Sequence, residues 1–251
     1  MKFIKIILLT VMTLLTLILW SSSTVQANQS TKTIYPTMGV LGDSISAGWT
    51  GTIYNSNQAY PDFLRQNLGV PADQLINYSV PHGRIVGNRF ANCHLGNHAG
   101  QDMRNQILQH KTVISHLKTL YIAFGLNDYA AHSGSGSLNH IGHTLSRYLQ
   151  YIQHLNPNIR LYGILPLVGF SSHNNPYDRV SNDRQFTLKQ LRTKLSTVYA
   201  QSDAIAINPN LAHAITAKNR LTSLADQHVH PTVATNQIIA QYIAQIVKTI
   251  H

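Results

Sequence analysis

Five short apolar runs alternate along this chain with longer segments in which apolar residues recur every three or four positions. Short runs of this kind are typical of strands buried on both faces, and the longer period is typical of helices that cover a sheet. The predicted strands are residues 35–42, 75–80, 120–124, 160–165 and 204–207. The predicted helices are residues 60–68, 101–117, 141–155, 182–201 and 233–250. Because right-handed helical crossovers join parallel strands, this order predicts an α/β fold with one five-stranded parallel sheet.

The N-terminal segment differs in composition from the rest of the chain. Lys2 and Lys5 accompany an apolar run at 6–20, and a stretch ending in small residues leads to Ala27. This pattern is that of a secretory signal peptide. A retained membrane anchor is the rival interpretation, although the run is shorter than the roughly 20 residues that span a bilayer. We favour cleavage after Ala27, so that 1–27 is removed, 28–251 forms one domain, and the protein is secreted or stays at the cell surface.

The chain is basic, with 19 Lys and Arg residues against nine acidic ones. Without residues 1–27, 17 basic residues remain and the net charge is +8. Such a charge suits electrostatic attraction to an anionic cell surface, while the absence of a dense basic run argues against nucleic acid. There is no glutamate, so every candidate carboxylate is an aspartate. Cys93 is the single cysteine, which excludes an internal disulfide.

Residues suited to acyl transfer follow the predicted strands. Ser44 comes directly after the first strand, where a break into a helix exposes a hydroxyl beside a free N–H, and it is the candidate nucleophile. His230 is the candidate base, because Pro231 restricts its backbone, and Asp226 is the nearest carboxylate that can orient it. His228 remains a rival base. The predicted oxyanion donors are the backbone N–H groups of Ser44 and Gly83 and the side-chain amide of Asn127.

Four segments together resemble the markers of the SGNH (GDSL-type) hydrolase family. They occur in the family order, at about the expected separations, as Gly42-Asp43-Ser44, the glycine Gly83, Gly125-Leu126-Asn127-Asp128 and Asp226-Gln227-His228-Val229-His230-Pro231. The resemblance implies a three-layer, flavodoxin-like sandwich and ester hydrolysis through an acyl-serine. No Gly-x-Ser-x-Gly segment is present, which argues against the other large class of serine esterases.

Two departures from the family pattern bear on the site. Asp226 lies four residues before His230, whereas the family carboxylate lies three before its histidine. A one-residue bulge would restore the contact, and otherwise a backbone carbonyl or water would orient the imidazole. The second marker carries an extra residue before its glycine, so that Gly87 is an alternative to Gly83.

A cluster of possible metal ligands occurs at Cys93, His94 and His98. No second cysteine pair or nearby acid completes a tetrahedral site, and we expect neither a metal nor another cofactor. Asp43 and Asp128 are interpreted as residues that hold loops by hydrogen bonds.

The predicted function is that of a secreted serine ester hydrolase. It would remove a short acyl group, such as acetyl, from an acylated carbohydrate, a cell-wall polymer or a small ester. One alternative is an O-acyltransferase that passes the acyl group to a sugar hydroxyl. Another is a noncatalytic polysaccharide-binding domain that kept the fold and lost activity through the altered spacing of Asp226.

Overall fold

The computed structural model describes residues 35–87, 102–130 and 135–250. The predicted signal peptide and the cluster around Cys93 lie outside these ranges. Within them, no helix combines the length and apolar character needed to cross a membrane.

The five strands form one parallel sheet in the order β2-β1-β3-β4-β5. Every residue of β1 is buried. In β3 and β4, every residue after the first is buried. Strands covered on both faces explain the near-continuous apolar runs in the sequence. The predicted α/β fold with a five-stranded parallel sheet is therefore confirmed. The strand bounds are β1 Met38–Gly42, β2 Leu75–Asn77, β3 Thr119–Ala123, β4 Arg160–Ile164 and β5 Ile205–Ile207.

Eight α-helices are present in the described ranges, three of them of only four or five residues. They are α1 Ser44–Ala47, α2 Tyr60–Asn67, α3 Met103–Ile114, α4 Leu126–Ala130, α5 Leu138–Leu155, α6 Leu188–Gln201, α7 Arg220–Ser223 and α8 Val233–Thr249. Helix α5 packs against both α3 and α6, whereas α2 packs against α8. With right-handed crossovers, these two groups cover opposite faces of the sheet. The result is a three-layer sandwich whose core lies on both sides of β1, β3 and β4.

Helix α6 begins six residues later than the sequence pattern predicts. The Asn182 side-chain oxygen accepts hydrogen bonds from the N–H groups of Arg184 and Phe186, and Gln185 has a φ of 60°. Asparagine side chains that bond to nearby backbone in this way compete with helix formation. The helix starts only after Thr187, whose hydroxyl and backbone N–H pair reciprocally with Gln190.

Buried Asn156 ties the layer of α3 and α5 together at one end. It follows α5, and its side-chain amide donates to the carbonyl oxygens of Ile114 (3.1 Å) and Leu117 (2.8 Å). These carbonyls lie between the end of α3 and the start of β3, in a buried region. The side chain therefore satisfies acceptors that water cannot reach.

We predict that Asn156→Ala lowers the free energy of unfolding by about 1–3 kcal/mol, because the buried Leu117 carbonyl loses its donor and the Ile114 carbonyl keeps only the Leu117 N–H at 3.3 Å. Urea denaturation monitored by circular dichroism measures the change. The exposed Asn158 provides the matched control, and Asn158→Ala should alter stability by less than about 0.5 kcal/mol. Equal stabilities of the two variants would contradict the proposed tie.

Candidate active site

Ser44 occupies the sharp junction between β1 and α1. Asp43 lies between the two elements in an extended conformation, and its carboxylate accepts from the N–H of Ile45 (3.0 Å) as the helix N-cap. The last strand residue, Gly42, is held at both backbone groups by the buried side chain of Gln106 (3.1 and 2.9 Å). The Ser44 N–H, in the first turn of α1, has no partner among the described residues. The junction thus presents the Ser44 hydroxyl and a free N–H side by side.

The structure brings Ser44, His230 and Asp226 into one hydrogen-bonded chain. Ser44 Oγ lies 3.0 Å from His230 Nε2, and His230 Nδ1 lies 2.6 Å from Asp226 Oδ2. An ionised carboxylate accepts only, so Nδ1 carries hydrogen and a neutral imidazole leaves Nε2 as the acceptor for the serine hydroxyl. This is the arrangement of a nucleophile, a base and a group that orients the base.

The four-residue spacing between Asp226 and His230 is accommodated by a tight turn. Gln227 adopts a left-handed conformation with a φ of 64°, and the Ala225 N–H donates to the carbonyl of His230 across the turn (2.7 Å). Asp226 Oδ1 accepts from three consecutive N–H groups, those of His228, Val229 and His230, at 2.9, 2.9 and 3.0 Å. The turn is thus wound around the carboxylate, which leaves Oδ2 to face the imidazole.

The same contacts keep Asp226 charged. Burial pushes its pKa upward, but the hydrogen bonds from the His230 side chain and from the backbone N–H groups of the turn outweigh burial. They hold the pKa well below its usual range. The carboxylate therefore stays ionised at neutral pH and can stabilise a positive imidazole.

Asn127 and Gly83 lie together beside the serine, as their predicted roles require. Asn127 Nδ2 donates to the Gly83 carbonyl (3.1 Å), and Asn127 also lines the cavity that contains Ser44. A Cβ on Gly83 would lie 2.5 Å from the Gly42 carbonyl oxygen, so the close packing against β1 requires glycine. The Gly83 N–H donates to Val80 (3.1 Å) and would have to share its hydrogen with a third group to act as an oxyanion donor.

Asp128 fixes the relative positions of these two segments. Its carboxylate accepts from the N–H groups of Ile85 (2.9 Å) and Val86 (3.1 Å), which links α4 to the chain after Gly83. Burial raises the pKa of Asp128, and the two backbone hydrogen bonds oppose that rise. The interpretation of Asp128 as a loop-holding residue agrees with these contacts.

The two alternative residues occupy different surroundings. A Cβ on Gly87 would meet the Asp102 carboxylate at 2.7 Å, whereas Gly83 contacts Asn127 and the end of β1. His228 Nδ1 is buried and has no hydrogen-bond partner in the part of the chain that the structure describes, where the imidazole in contact with Ser44 is that of His230. The geometry favours Gly83 and His230 for the predicted roles.

The Ser44 hydroxyl opens into a cavity of about 450 Å³. Its walls combine aromatic, aliphatic and polar side chains: Ser44, Trp49, Tyr54, Pro81, His82, Leu126, Asn127, Val229 and His230. Sequence reasoning interpreted 49–57 as a surface loop and missed Trp49 and Tyr54, whose rings pack at 4.8 Å. The presence of two aromatic residues within ten positions of the nucleophile was the sequence signal that this loop lines the site. The same loop supports the carboxylate, because Gly51 leaves no room for a Cβ, which would lie 2.7 Å from Asp226 Cβ.

No group of three or more His, Cys or Asp side chains suited to a metal ion occurs within 35–87, 102–130 and 135–250. The ligand cluster considered at Cys93 lies outside these ranges.

Comparison with known sequences identifies the family. The model of the GDSL-like lipase/acylhydrolase family matches residues 40–238, which include all the residues of the site. The chain belongs to this family. The resemblance drawn from the four segments is confirmed, and the protein is a hydrolase of the lipase and esterase kind. No curated protein matches the sequence.

Solved structures share the fold at low sequence identity. A carbohydrate acetylesterase from Sinorhizobium meliloti, Est24, superposes with a TM-score of 0.61 at 13% identity, over 86% of this chain and 100% of that one. The psychrotrophic esterase EstA from Pseudoalteromonas sp. gives 0.57 at 14%, over 85% and 97%. A GDSL-like lipase from Bacteroides thetaiotaomicron gives 0.56 at 14%, over 86% and 89%. At these identities the likeness concerns the fold.

In this hydrolase, Asp43 is a buried carboxyl group next to the candidate nucleophile Ser44. Burial raises its pKa to about 7, although the Ile45 N–H and the nearby His230 act in the opposite direction. The native state therefore retains a proton that the unfolded chain releases above about pH 4, and native stability falls as the pH rises towards 7.

We predict that Asp43→Asn removes this pH-dependent loss while keeping an oxygen that can cap α1. As the pH rises from 4 to 8, the unfolding free energy of the variant relative to that of the wild type should increase by a few kcal/mol, since each unit of pKa shift corresponds to about 1.4 kcal/mol. Urea denaturation across this range measures the difference. Asp73→Asn, at an exposed aspartate, is the control. Parallel pH profiles for Asp43→Asn and the wild type would contradict the raised pKa.

Proposed function

We propose that this protein is an exported serine ester hydrolase that removes a short acyl group from a carbohydrate or cell-wall polymer. The observation that carries the proposal is the continuous chain from Ser44 Oγ through the His230 imidazole to the Asp226 carboxylate, at the mouth of a cavity. The altered Asp226 spacing, which suggested a noncatalytic domain, does not prevent this contact.

The geometry supports a two-step reaction. Ser44 Oγ attacks the ester carbonyl carbon while His230 Nε2 takes the hydroxyl proton, and Asp226 stabilises the resulting imidazolium. The Ser44 N–H and the Asn127 amide donate to the oxyanion. The Gly83 N–H is a third donor when it shares its hydrogen between the Val80 carbonyl and the oxyanion. His230 returns the proton to the leaving alcohol as the C–O bond breaks, which leaves an acyl-serine. Water, activated by His230, then releases the acid and regenerates the serine.

A second cavity supports a hydroxyl-rich leaving group. It has a volume of about 670 Å³ and shares Tyr54 and Pro81 with the cavity at Ser44. Its lining includes six polar side chains, those of Ser56, Asn57, Asp62, Arg65, Asn77 and Ser79. The smaller cavity would take the acyl group, and this adjoining groove would take the sugar to which it is attached. The carbohydrate acetylesterase among the similar structures is consistent with this assignment.

We predict that Ser44→Ala and His230→Gln each lower kcat/KM for a chromogenic acetate ester by about 10⁴-fold, since both groups act in the same step. His228→Gln is the matched control and should retain nearly full activity. Spectrophotometric assay of purified protein gives the three values. Activity lost with His228→Gln and kept with His230→Gln would assign the base to the other histidine. Negligible turnover in the wild type and all variants would favour a binding domain, and acyl transfer to added sugar faster than hydrolysis would favour a transferase.

The groove predicts a selective effect on polymeric substrates. Asn57 is exposed at its edge, and its side chain has no hydrogen-bond partner among the described residues. Asn57→Ala should raise KM for an acetylated polysaccharide by about two- to tenfold through loss of a sugar contact, and leave kcat/KM for the chromogenic acetate unchanged. Acetate release under initial-rate conditions measures both, with Asn158→Ala as the control. An unchanged KM for the polymer would argue against the groove as the sugar site.

A further inference from the structure

The two helical layers differ in charge. Helices α3, α5 and α6, which cover one face of the sheet, contain no acidic residue and six basic ones: Arg104, Lys111, Arg147, Lys189, Arg192 and Lys194. On the other face, Asp62 and Arg65 of α2 form an ion pair at 2.8 Å, and α8 contributes Lys248. Arg192 is buried and pairs with Asp178, but the other five basic residues give the layer of α3, α5 and α6 a positively charged surface.

A cleft opens on this layer between α3 and α5. It has a volume of about 340 Å³ and is lined by Arg104, Ile107, Leu108, Arg147, Tyr148 and Tyr151. None of these residues lines the cavities at Ser44 and its neighbouring groove. The cleft is therefore a separate candidate binding site.

The two arginines of the cleft are available to a ligand. Arg104 and Arg147 are exposed, and neither forms an ion pair within the described part of the chain. The nearby carboxylate of Asp102 is occupied at the start of α3, where it accepts from the backbone and side-chain nitrogens of Asn105 (2.9 and 3.3 Å). Burial and Asp102 raise the pKa of Tyr148, and Arg104 and Arg147 both oppose that rise, so the two guanidinium groups act on the same phenol.

The chemistry of the cleft fits an anionic sugar unit. Guanidinium groups bind phosphate and carboxylate groups through paired hydrogen bonds. Neither Arg104 nor Arg147 has a carboxylate partner among the described residues. Tyr148 and Tyr151 are partly buried and provide aromatic surface, with hydroxyl groups, against which an amphipathic ring can pack. Further basic residues on the same helices extend the positive surface beyond the cleft.

We propose that the cleft between α3 and α5 binds a phosphate- or carboxylate-bearing glycan chain, at a site separate from the catalytic cavity. A chain held there would keep its other units at a high local concentration near Ser44. That the ligand is an anion is inferred from the cleft alone, whereas that the ligand is a glycan rests on the proposed function.

Binding of phosphorylated dextran to the purified protein, compared with unmodified dextran, tests this proposal by isothermal titration calorimetry. We expect binding to the phosphorylated polymer only, and a loss of affinity of about tenfold or more in Arg104→Gln/Arg147→Gln. The matched control is Lys218→Gln/Lys248→Gln, which removes the same charge from exposed positions outside this layer and should bind as the wild type does. Turnover of the chromogenic acetate should be unchanged in both variants, which separates this test from that of the catalytic proposal.

Three results would overturn the proposal. Equal weakening in both double variants would mean that net charge alone attracts the polymer. Unchanged affinity in Arg104→Gln/Arg147→Gln would exclude the cleft. Tighter binding of an oligothymidylate, or of phosphatidylglycerol vesicles, through the same two arginines would assign the cleft to nucleic acid or to a membrane.

Discussion

The carboxylate of Asp226 is the constraint on which the site depends. One oxygen accepts three backbone N–H groups, so the turn from Ala225 to His230 is wound around a single acceptor. The other oxygen holds the imidazole and determines which ring nitrogen carries hydrogen. The negative charge thus stabilises the turn, orients the ring and leaves Nε2 facing Ser44. A neutral side chain at this position could reproduce part of the hydrogen bonding, but not the electrostatic stabilisation of an imidazolium.

The parallel sheet brings the other groups to the same edge. Ser44 follows β1 and Asn127 follows β3, and these strands are hydrogen-bonded neighbours. Buried polar contacts then fix the loops with a precision that hydrophobic packing alone does not provide: Gln106 holds the end of β1, and Asp128 holds the segment after Gly83. Each contact joins residues more than 40 positions apart in the chain. The site is therefore a property of the folded sheet, and loosening either contact would move a catalytic candidate relative to its partners.

Much of this architecture could be predicted from the sequence because its local signals agree with the fold. Buried strands need apolar runs, and the polar residues that follow them identify the functional edge. The features that the sequence did not predict depend on contacts that produce no local sequence pattern. The late start of α6 depends on Asn182, which also donates to the Tyr129 carbonyl. Gln106 lies within an ordinary helical pattern, and the reach of Asp226 to His230 depends on a left-handed Gln227. Such features follow from tertiary structure rather than from periodicity.

The basic character of the molecule follows from how its few acidic residues are used. Most of the aspartates are engaged by intramolecular partners in the described structure. Asp43 and Asp102 cap helices, Asp128 and Asp226 hold loops, and Asp62 and Asp178 pair with arginines. A carboxylate engaged in this way contributes little negative surface for a cation to meet. Helices α3, α5 and α6 contain no acidic residue, and of their basic residues only Arg192 forms an ion pair within the described part of the chain. The scarcity of carboxylates therefore has two consequences: it limits the choice of a residue that can orient His230, and it leaves one helical layer with a positive charge that attracts anions.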